Sequence, residues 1–302
     1  MYTSRQLIRG IRNPREGLLE VWKLYHRKLR RRGGVDVTEQ DWDNLVILDA
    51  CRYDLFAELN SIDGQLSSVI SAGSHTGEFV VQNFADRQFA DLVYVSANPQ
   101  LQTNDVTGNF FAFVHLWEDY WDKDLKTVLP DIVTREALAA EKQYPNKRLV
   151  VHYLQPHYPF IGETGRQIEH RSVGAGGVIA EDPEIASIWK QLKRGKVEKS
   201  TVRNAYIENL NLVLPHVETL VENLDGKTVI TADHGNAFGE WGIYGHPSGV
   251  YFEPLVKVPW FVTPFTERKH IEAGDPITST HHEQVEDSVE QKLKHLGYAD
   301  DT

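Results

Sequence analysis

Four polar residues stand behind apolar runs, and their types suit metal chemistry. The segment NLVILDACRYD ends its apolar run on Asp49, and RLVVHYLQPHYPF is followed closely by His157. KTVITADHG ends on the adjacent pair Asp233 and His234, and another imidazole, His246, follows a stretch rich in glycine and aromatic residues. Two carboxylates with one or two imidazoles form a hard-to-borderline cation site, suited to Zn²⁺ or Mn²⁺ and less readily to Mg²⁺. Brought close together without a cation, Asp49 and Asp233 would repel, and one would have to hold a proton. Each residue alone has an ordinary explanation: an Asp after a strand caps or turns the chain, and a lone His is more often a core residue than a ligand. The joint pattern is what points to a site.

Such a site needs a group to activate. SSVISAGSHTGEF offers three hydroxyls, Ser71, Ser74 and Thr76, at a strand-to-helix junction. A hydroxyl there gains from the helix N-terminus, whose N–H groups can also hold an anionic ester. A hydroxyl whose proton is weakened by a cation is a competent nucleophile near neutral pH. The ordinary alternative is a Ser or Thr N-cap with Glu78 in the first turn.

The elements that must position these groups alternate. Continuous apolar runs at 45–48, 68–70, 92–95, 148–154, 227–231 and 259–262 suit strands buried on both faces. Helical patterns lie at 78–85, 131–144, 183–193, 200–224 and 283–296. The alternation predicts an α/β fold with a large, mostly parallel central sheet flanked by helices. In such sheets ligands gather beyond the carboxyl ends of the strands, which is where Asp49, His157, Asp233 and His234 fall. The glycines of VGAGGV at 173–178 lack the strand-to-helix setting of a dinucleotide fingerprint and read as a loop. Loops at 97–109 and 162–181 are expected to wall the pocket.

Composition limits the partners. The 302 residues carry a net charge of −11, yet residues 1–34 hold ten Lys/Arg against two Asp/Glu, a net of +8. The remainder holds 22 against 41, a net of −19, so the acidic body does not suit nucleic acid. One cysteine, Cys51, rules out an internal disulfide and a Cys-rich zinc module. No apolar run reaches the ~20 residues of a membrane helix, and no export signal is evident, so the expectation is a cytoplasmic protein, at most seated at the inner membrane surface. The means of seating is REGLLEVWKLYHRKLRRR at 15–32, a helical pattern with Leu18, Trp22, Tyr25 and Leu29 on one stripe and a basic opposite face. A helix packed on the body with a solvated basic end is the favoured reading, because so short an apolar stripe binds membranes weakly. Residues 1–34 are thus set apart from a single catalytic domain at 35–302.

In the order NLVILDACRYD, GSHT, VHYLQPHYPF, TADHGNAFGE, YGHP and VPWFV, with LKHLGY near the end, the chain resembles the alkaline phosphatase/sulfatase superfamily. It looks most like the sulfatase-like hydrolases and phosphoglycerol-transferase-like members. The resemblance implies one divalent ion (Zn²⁺ or Mn²⁺, with Mg²⁺ or Ca²⁺ as alternatives) held by Asp49, Thr76, Asp233 and His234. It implies Thr76 as nucleophile, and His157 and His246 as contacts to the transferred group or its leaving group. The substrate would be a phosphorylated, or less readily sulfated, small molecule, lipid or glycan. A formylglycine sulfatase is disfavoured, since Thr76-Gly77-Glu78-Phe79 lacks the C/S-x-P-x-R motif and Cys51 lies elsewhere. Ala50 replaces the second Asp that sulfatases place after the first strand, and Ile161 stands where two-zinc relatives place a His, so the one-metal type fits best. Arg52, three residues beyond Asp49, is a candidate oxyanion partner or a structural ion pair, and Asp54 either orients a ligand or caps a helix. Gly235 is expected to turn the backbone past the cation, and 236–245 to swing His246 back. The rival reading is a catalytically silent binding or scaffold protein.

Overall fold

The structure, a computed structural model, describes residues 33–168 and 187–277. The basic pattern at 15–32, the glycine loop at 173–178, the first part of 183–193, the pattern at 283–296 and LKHLGY lie outside the described residues.

Seven strands form one sheet in the order β2-β9-β6-β1-β5-β3-β4. They are β1 (Asn44–Leu48), β2 (Gln65–Ile70), β3 (Phe89–Ser96), β4 (Phe110–His115), β5 (Arg148–Tyr153), β6 (Thr228–Thr231) and β9 (Lys257–Val262). Pairing is parallel across β6-β1-β5-β3-β4, while β9 runs antiparallel to both β6 and β2. A separate two-stranded hairpin, β7 (Ala237–Phe238) and β8 (Tyr244–Gly245), occupies the stretch expected as a loop before His246. The principal helices are α1 (Tyr53–Leu59), α2 (Thr76–Phe84), α3 (Pro130–Gln143), α4 (Ile188–Lys193) and α5 (Lys199–Glu222). Among the described residues no helix is long and apolar enough to cross a membrane.

The apolar runs of the central strands are continuous because both faces of the sheet are covered there, whereas β2, expected to be buried on both faces, lies at an edge and is exposed or half-buried throughout. Every residue of β1 and β6 is buried. Side chains alternate along a strand, so Val46 and Leu48 join one core with residues of α1, α3, α4 and α5. Leu45 and Ile47 join the other, with Phe79, Val80 and Phe84 of α2. Besides the hairpin, β4 and α1 were absent from the sequence expectation. β4 is the edge strand opposite β2 and is mostly half-buried, and α1 is seven residues long, too short to display helical periodicity.

Strand register does the positioning. Ile47 pairs with Thr231 and with His152, and Ser96 pairs with His152. Two residues beyond Ile47 and Thr231 lie Asp49 and Asp233, on neighbouring strands that a parallel sheet holds about 4.8 Å apart. The loop after β5 is fixed from α5. The buried Asn209 side chain donates to the carbonyls of His157 (3.1 Å) and Pro159 (3.0 Å) and accepts from the amide of Ile161 (2.8 Å). Removing that side chain strands three buried backbone groups. Asn209→Ala is therefore expected to destabilise the protein by about 2–4 kcal/mol in urea unfolding; a change under about 0.5 kcal/mol would show that the loop is held by other contacts.

Candidate metal centre

Asp49, Asp233 and His234 are fully buried, and each offers a ligand atom within 4.8 Å of the others. The focus is His234 Nε2. It lies 3.6 Å from Asp49 Oδ1, 3.5 Å from Asp233 Oδ2 and 3.3 Å from Thr76 Oγ1. The other ring nitrogen, Nδ1, donates to the carbonyl of Gly235 at 2.7 Å, which leaves the Nε2 lone pair facing the carboxylates.

Thr76 is the first residue of α2, and here the sequence had left three hydroxyls open. Ser71 Oγ donates to the carbonyl of Asp233. Ser74 Oγ donates to Glu78 Oε2 (2.9 Å) and the Pro247 carbonyl (3.2 Å), and accepts from the amide of Val250 (3.4 Å). Both serve the loops, and Thr76 is the hydroxyl that meets the imidazole. The N-cap of α2 is His75, whose Nδ1 accepts from the amide of Gly77 at 3.1 Å, so capping does not use the Thr76 hydroxyl. Glu78 also accepts from Ser248 Oγ (3.0 Å) and the Gly249 amide (2.9 Å), tying the start of α2 to the loop that carries His246. Burial alone would raise the Glu78 carboxyl, but His75 and the Ser74 donors outweigh it and hold it below the usual range.

The two remaining histidines complete a buried cluster. His157 Nε2 lies 3.5 Å from His246 Nε2, and the His246 ring is 4.7 Å, centroid to centroid, from that of His234. The amide of His157 donates to the carbonyl of Asp49 at 3.1 Å. His246 is delivered by the β7–β8 hairpin, which ends at Gly245 with φ of 70°. A side chain at Gly245 would be strained and would press on the Trp189 ring, 2.9 Å from a Cβ placed there. Gly235 acts differently from expectation. Its φ is not left-handed; glycine is required because the Pro254 carbonyl would lie 2.1 Å from a Cβ.

Ala50 has φ of 59°, a conformation that costs a residue with a Cβ. Two contacts impose it. The Ala50 amide donates to Asp233 Oδ1 at 3.0 Å, and the Ala50 carbonyl accepts from Tyr206 Oη at 2.8 Å. The chain thus uses the Ala50 backbone to orient the carboxylate of Asp233. Asp233 Oδ1 also accepts from the His234 amide at 2.9 Å, so Oδ2 is the oxygen left to face the site.

Arg52 does not join the group. Its guanidinium pairs with both Asp54 oxygens (2.8 and 2.6 Å), with Glu240 Oε1 (2.8 Å) and with the Asn236 carbonyl (3.0 Å), and it lies over the Phe238 ring. It clamps the base of the hairpin, and Asp54 is its counter-ion. The structure adds three residues absent from the expectation. Asn98, after β3, donates to Asp49 Oδ2 at 2.5 Å. His152, within β5, lies 3.9 Å from both Asp49 Oδ2 and Asp233 Oδ2. Asn236 is fully buried with neither amide atom paired among the described residues. Only His152 left a trace in the sequence, as the single imidazole inside a buried apolar strand.

These residues fit a divalent cation. Asp233 Oδ2 is buried, has no hydrogen-bond partner among the described residues, and faces two imidazole nitrogens. Burial, the largest influence on each, pulls His234 down to about 3 and His152 to about 4, so neither supplies a positive charge at neutral pH. A buried carboxylate oxygen without a cationic partner is costly. Two carboxylates, an imidazole and a hydroxyl form a donor set that Zn²⁺ or Mn²⁺ would satisfy.

No family model matches this chain, and no curated protein matches it. Similar solved structures exist at low identity. The soluble domain of lipooligosaccharide phosphoethanolamine transferase A from Neisseria meningitidis is 13% identical over 73% of this chain and 75% of that one, with a TM-score of 0.47. The C-terminal periplasmic domain of phosphoethanolamine transferase EptC from Campylobacter jejuni is 14% identical over 72% and 77%, with a TM-score of 0.48. Lipoteichoic acid synthase LtaP from Listeria monocytogenes is 13% identical over 82% and 78%, with a TM-score of 0.44.

Proposed function

We propose that this protein is a metal-dependent hydrolase or transferase of phosphoric esters, of the one-metal type within the alkaline phosphatase/sulfatase superfamily, with Thr76 as nucleophile. One observation carries the reading: Thr76 Oγ1, at the N-terminus of α2, lies 3.3 Å from the same His234 nitrogen that Asp49 and Asp233 surround. Asp49, Thr76, Asp233 and His234 come from three separate segments, and a structural role for any one would not bring all four to one point.

A cation held by Asp49, Asp233, His234 and Thr76 Oγ1 would weaken the hold of the hydroxyl on its proton and polarise an ester oxygen. Thr76 Oγ1 would attack phosphorus in line, forming an O–P bond as the bond to the alcohol breaks. The N-terminus of α2 faces the ester with the positive end of its dipole. His157 and His246 serve the transferred group or the departing alcohol. His157 Nδ1 bonds the Tyr158 carbonyl, so the neutral ring turns a lone pair at Nε2 toward His246 Nε2. The proton that Thr76 gives up would then pass through the neutral imidazole of His246 to the departing alcohol oxygen. The phospho-threonine passes to water or to an acceptor hydroxyl, and the substrate is a phosphorylated small molecule, lipid or glycan.

Thr76→Ala and Asp233→Ala are each expected to lower metal-dependent cleavage of a phosphodiester by at least about a thousandfold. Full activity in both variants would sink the assignment. Metal content separates the enzyme from a silent scaffold: purified protein is expected to contain about one Zn or Mn per chain, or to gain thermal stability from either ion.

Chelated protein has its own pH signature. Burial pulls His152 and His157 to about 4 and His234 to about 3, whereas the unfolded chain carries them near ~6.5. The unfolded state therefore binds more protons as soon as the pH falls below about 6.5. The stability these groups contribute is complete above that pH and is lost as pH falls toward about 4. Thermal unfolding of chelated protein should show a melting temperature that drops steadily from pH 7 to 4.5; a flat profile would mean that the imidazoles are not held neutral.

A further inference from the structure

β5 carries one imidazole among apolar neighbours: His152, fully buried. It shares with Val150 the face covered by α2, and register sets it between Ile47 of β1 and Ser96 of β3. That is the row immediately beneath Asp49. Its Nδ1 lies 3.0 Å from Tyr94 Oη. Its Nε2 lies 3.9 Å from Asp49 Oδ2 and equally 3.9 Å from Asp233 Oδ2, with no hydrogen-bond partner among the described residues. A leucine or phenylalanine would fill a buried strand position without the cost of desolvating two ring nitrogens. The imidazole therefore needs an explanation other than packing.

The surroundings decide its tautomer. Nε2 faces two carboxylate oxygens, which attract an N–H and repel a lone pair. Nδ1 then accepts the Tyr94 O–H. Tyr94 is wedged among Phe84, Phe110 and Phe113, with ring centroids 5.5, 5.0 and 5.7 Å away, so its hydroxyl is held in place. The spacing of 3.9 Å is longer than a hydrogen bond, and the contact is that of an N–H dipole shared between two charges.

We propose that His152 is a positioning residue of the metal centre: its Nε2–H, fixed by Tyr94, holds the carboxylates of Asp49 and Asp233 together from beneath, so that both present an oxygen to one cation. Ligating carboxylates are themselves oriented by hydrogen-bond donors, and the loss of such partners weakens metal binding. Asn98 does this for Asp49 alone; His152 spans the pair. The role rests on the reading of Asp49, Asp233 and His234 as ligands of one cation.

Two measurements test it. In ¹⁵N-detected imidazole spectra of the whole protein, His152 is expected to be protonated at Nε2 both without metal and with Zn²⁺ added. A ring protonated at Nδ1, with Nε2 shifted by the ion, would make His152 a ligand and overturn the proposal. Calorimetric titration with Zn²⁺ then compares two variants. His152→Gln restores an N–H near the place of Nε2, and His152→Asn reaches only the place of Nδ1. The Gln variant is expected to bind close to wild type and the Asn variant about 10–100-fold more weakly. Equal binding by wild type and the Asn variant would overturn the role while leaving the metal centre intact. Wild-type protein that binds no ion would overturn the metal-centre reading itself, and this role with it. If the Asn variant does not fold, Tyr94→Phe replaces it: it leaves His152 present but frees its tautomer, and wild-type affinity together with an unchanged spectrum would contradict the proposal.

Discussion

Two carboxylates on neighbouring strands, both removed from water, set the terms for the rest of this structure. Asp49 follows β1 and Asp233 follows β6, and the parallel register of those strands puts them side by side. Such a pair is unstable unless a cation or a proton balances it. The nearby imidazoles do not balance it, since burial keeps His152 and His234 neutral at ordinary pH. What surrounds the pair instead is a set of aligned donors and one hydroxyl: backbone amides on Asp233 Oδ1, Asn98 on Asp49 Oδ2, and Thr76 across the His234 nitrogen. Such an environment suits the proposed cation, with Asp233 Oδ2 left unpaired among the described residues.

The backbone around the carboxylates is shaped to keep that arrangement. Ala50 is forced into a left-handed conformation between Asp233 and Tyr206. Tyr206 also accepts the Arg52 amide at 2.9 Å, so one residue of α5 fixes both sides of the turn after β1. A turn later on the same helix, Asn209 fixes the loop that carries His157. Arg52 and Glu240 lock the hairpin that leads to His246. The helix and the hairpin, both far along the chain from β1, together brace the turn after β1, the loop that carries His157 and the approach to His246. That bracing places the chemistry on rigid elements and limits how far any ligand can drift.

Much of this was legible in the chain, for physical reasons. Strands buried on both faces must be apolar throughout, so LVIL and TVIT announced β1 and β6, and the polar residues that end them stood out. Asp49, Asp233 and His234 were found that way. Thr76 was not separable from Ser71 and Ser74 by local pattern, because the difference lies in partners more than a hundred residues away, such as Asp233 for Ser71 and Pro247 for Ser74. Asn98 and Asn209 were invisible for the same reason: an Asn in a loop or on a helix is ordinary until its partner is known. Arg52 stayed open between an oxyanion partner and a structural ion pair, because distance along the chain from Asp49 says nothing of the direction of a long side chain; its guanidinium pairs with Asp54 and Glu240. His152 was the missed opportunity, since an imidazole within RLVVHYL is anomalous by the same rule that identified the strand.

The most direct test of the account is where a metal goes. Crystals of the protein grown with Zn²⁺ or Mn²⁺ and measured at the absorption edge of the ion would locate it by anomalous scattering. The account predicts one principal peak, bounded by Asp49, Asp233, His234 Nε2 and Thr76 Oγ1. A principal peak elsewhere, or none at these residues at saturating ion, would contradict it.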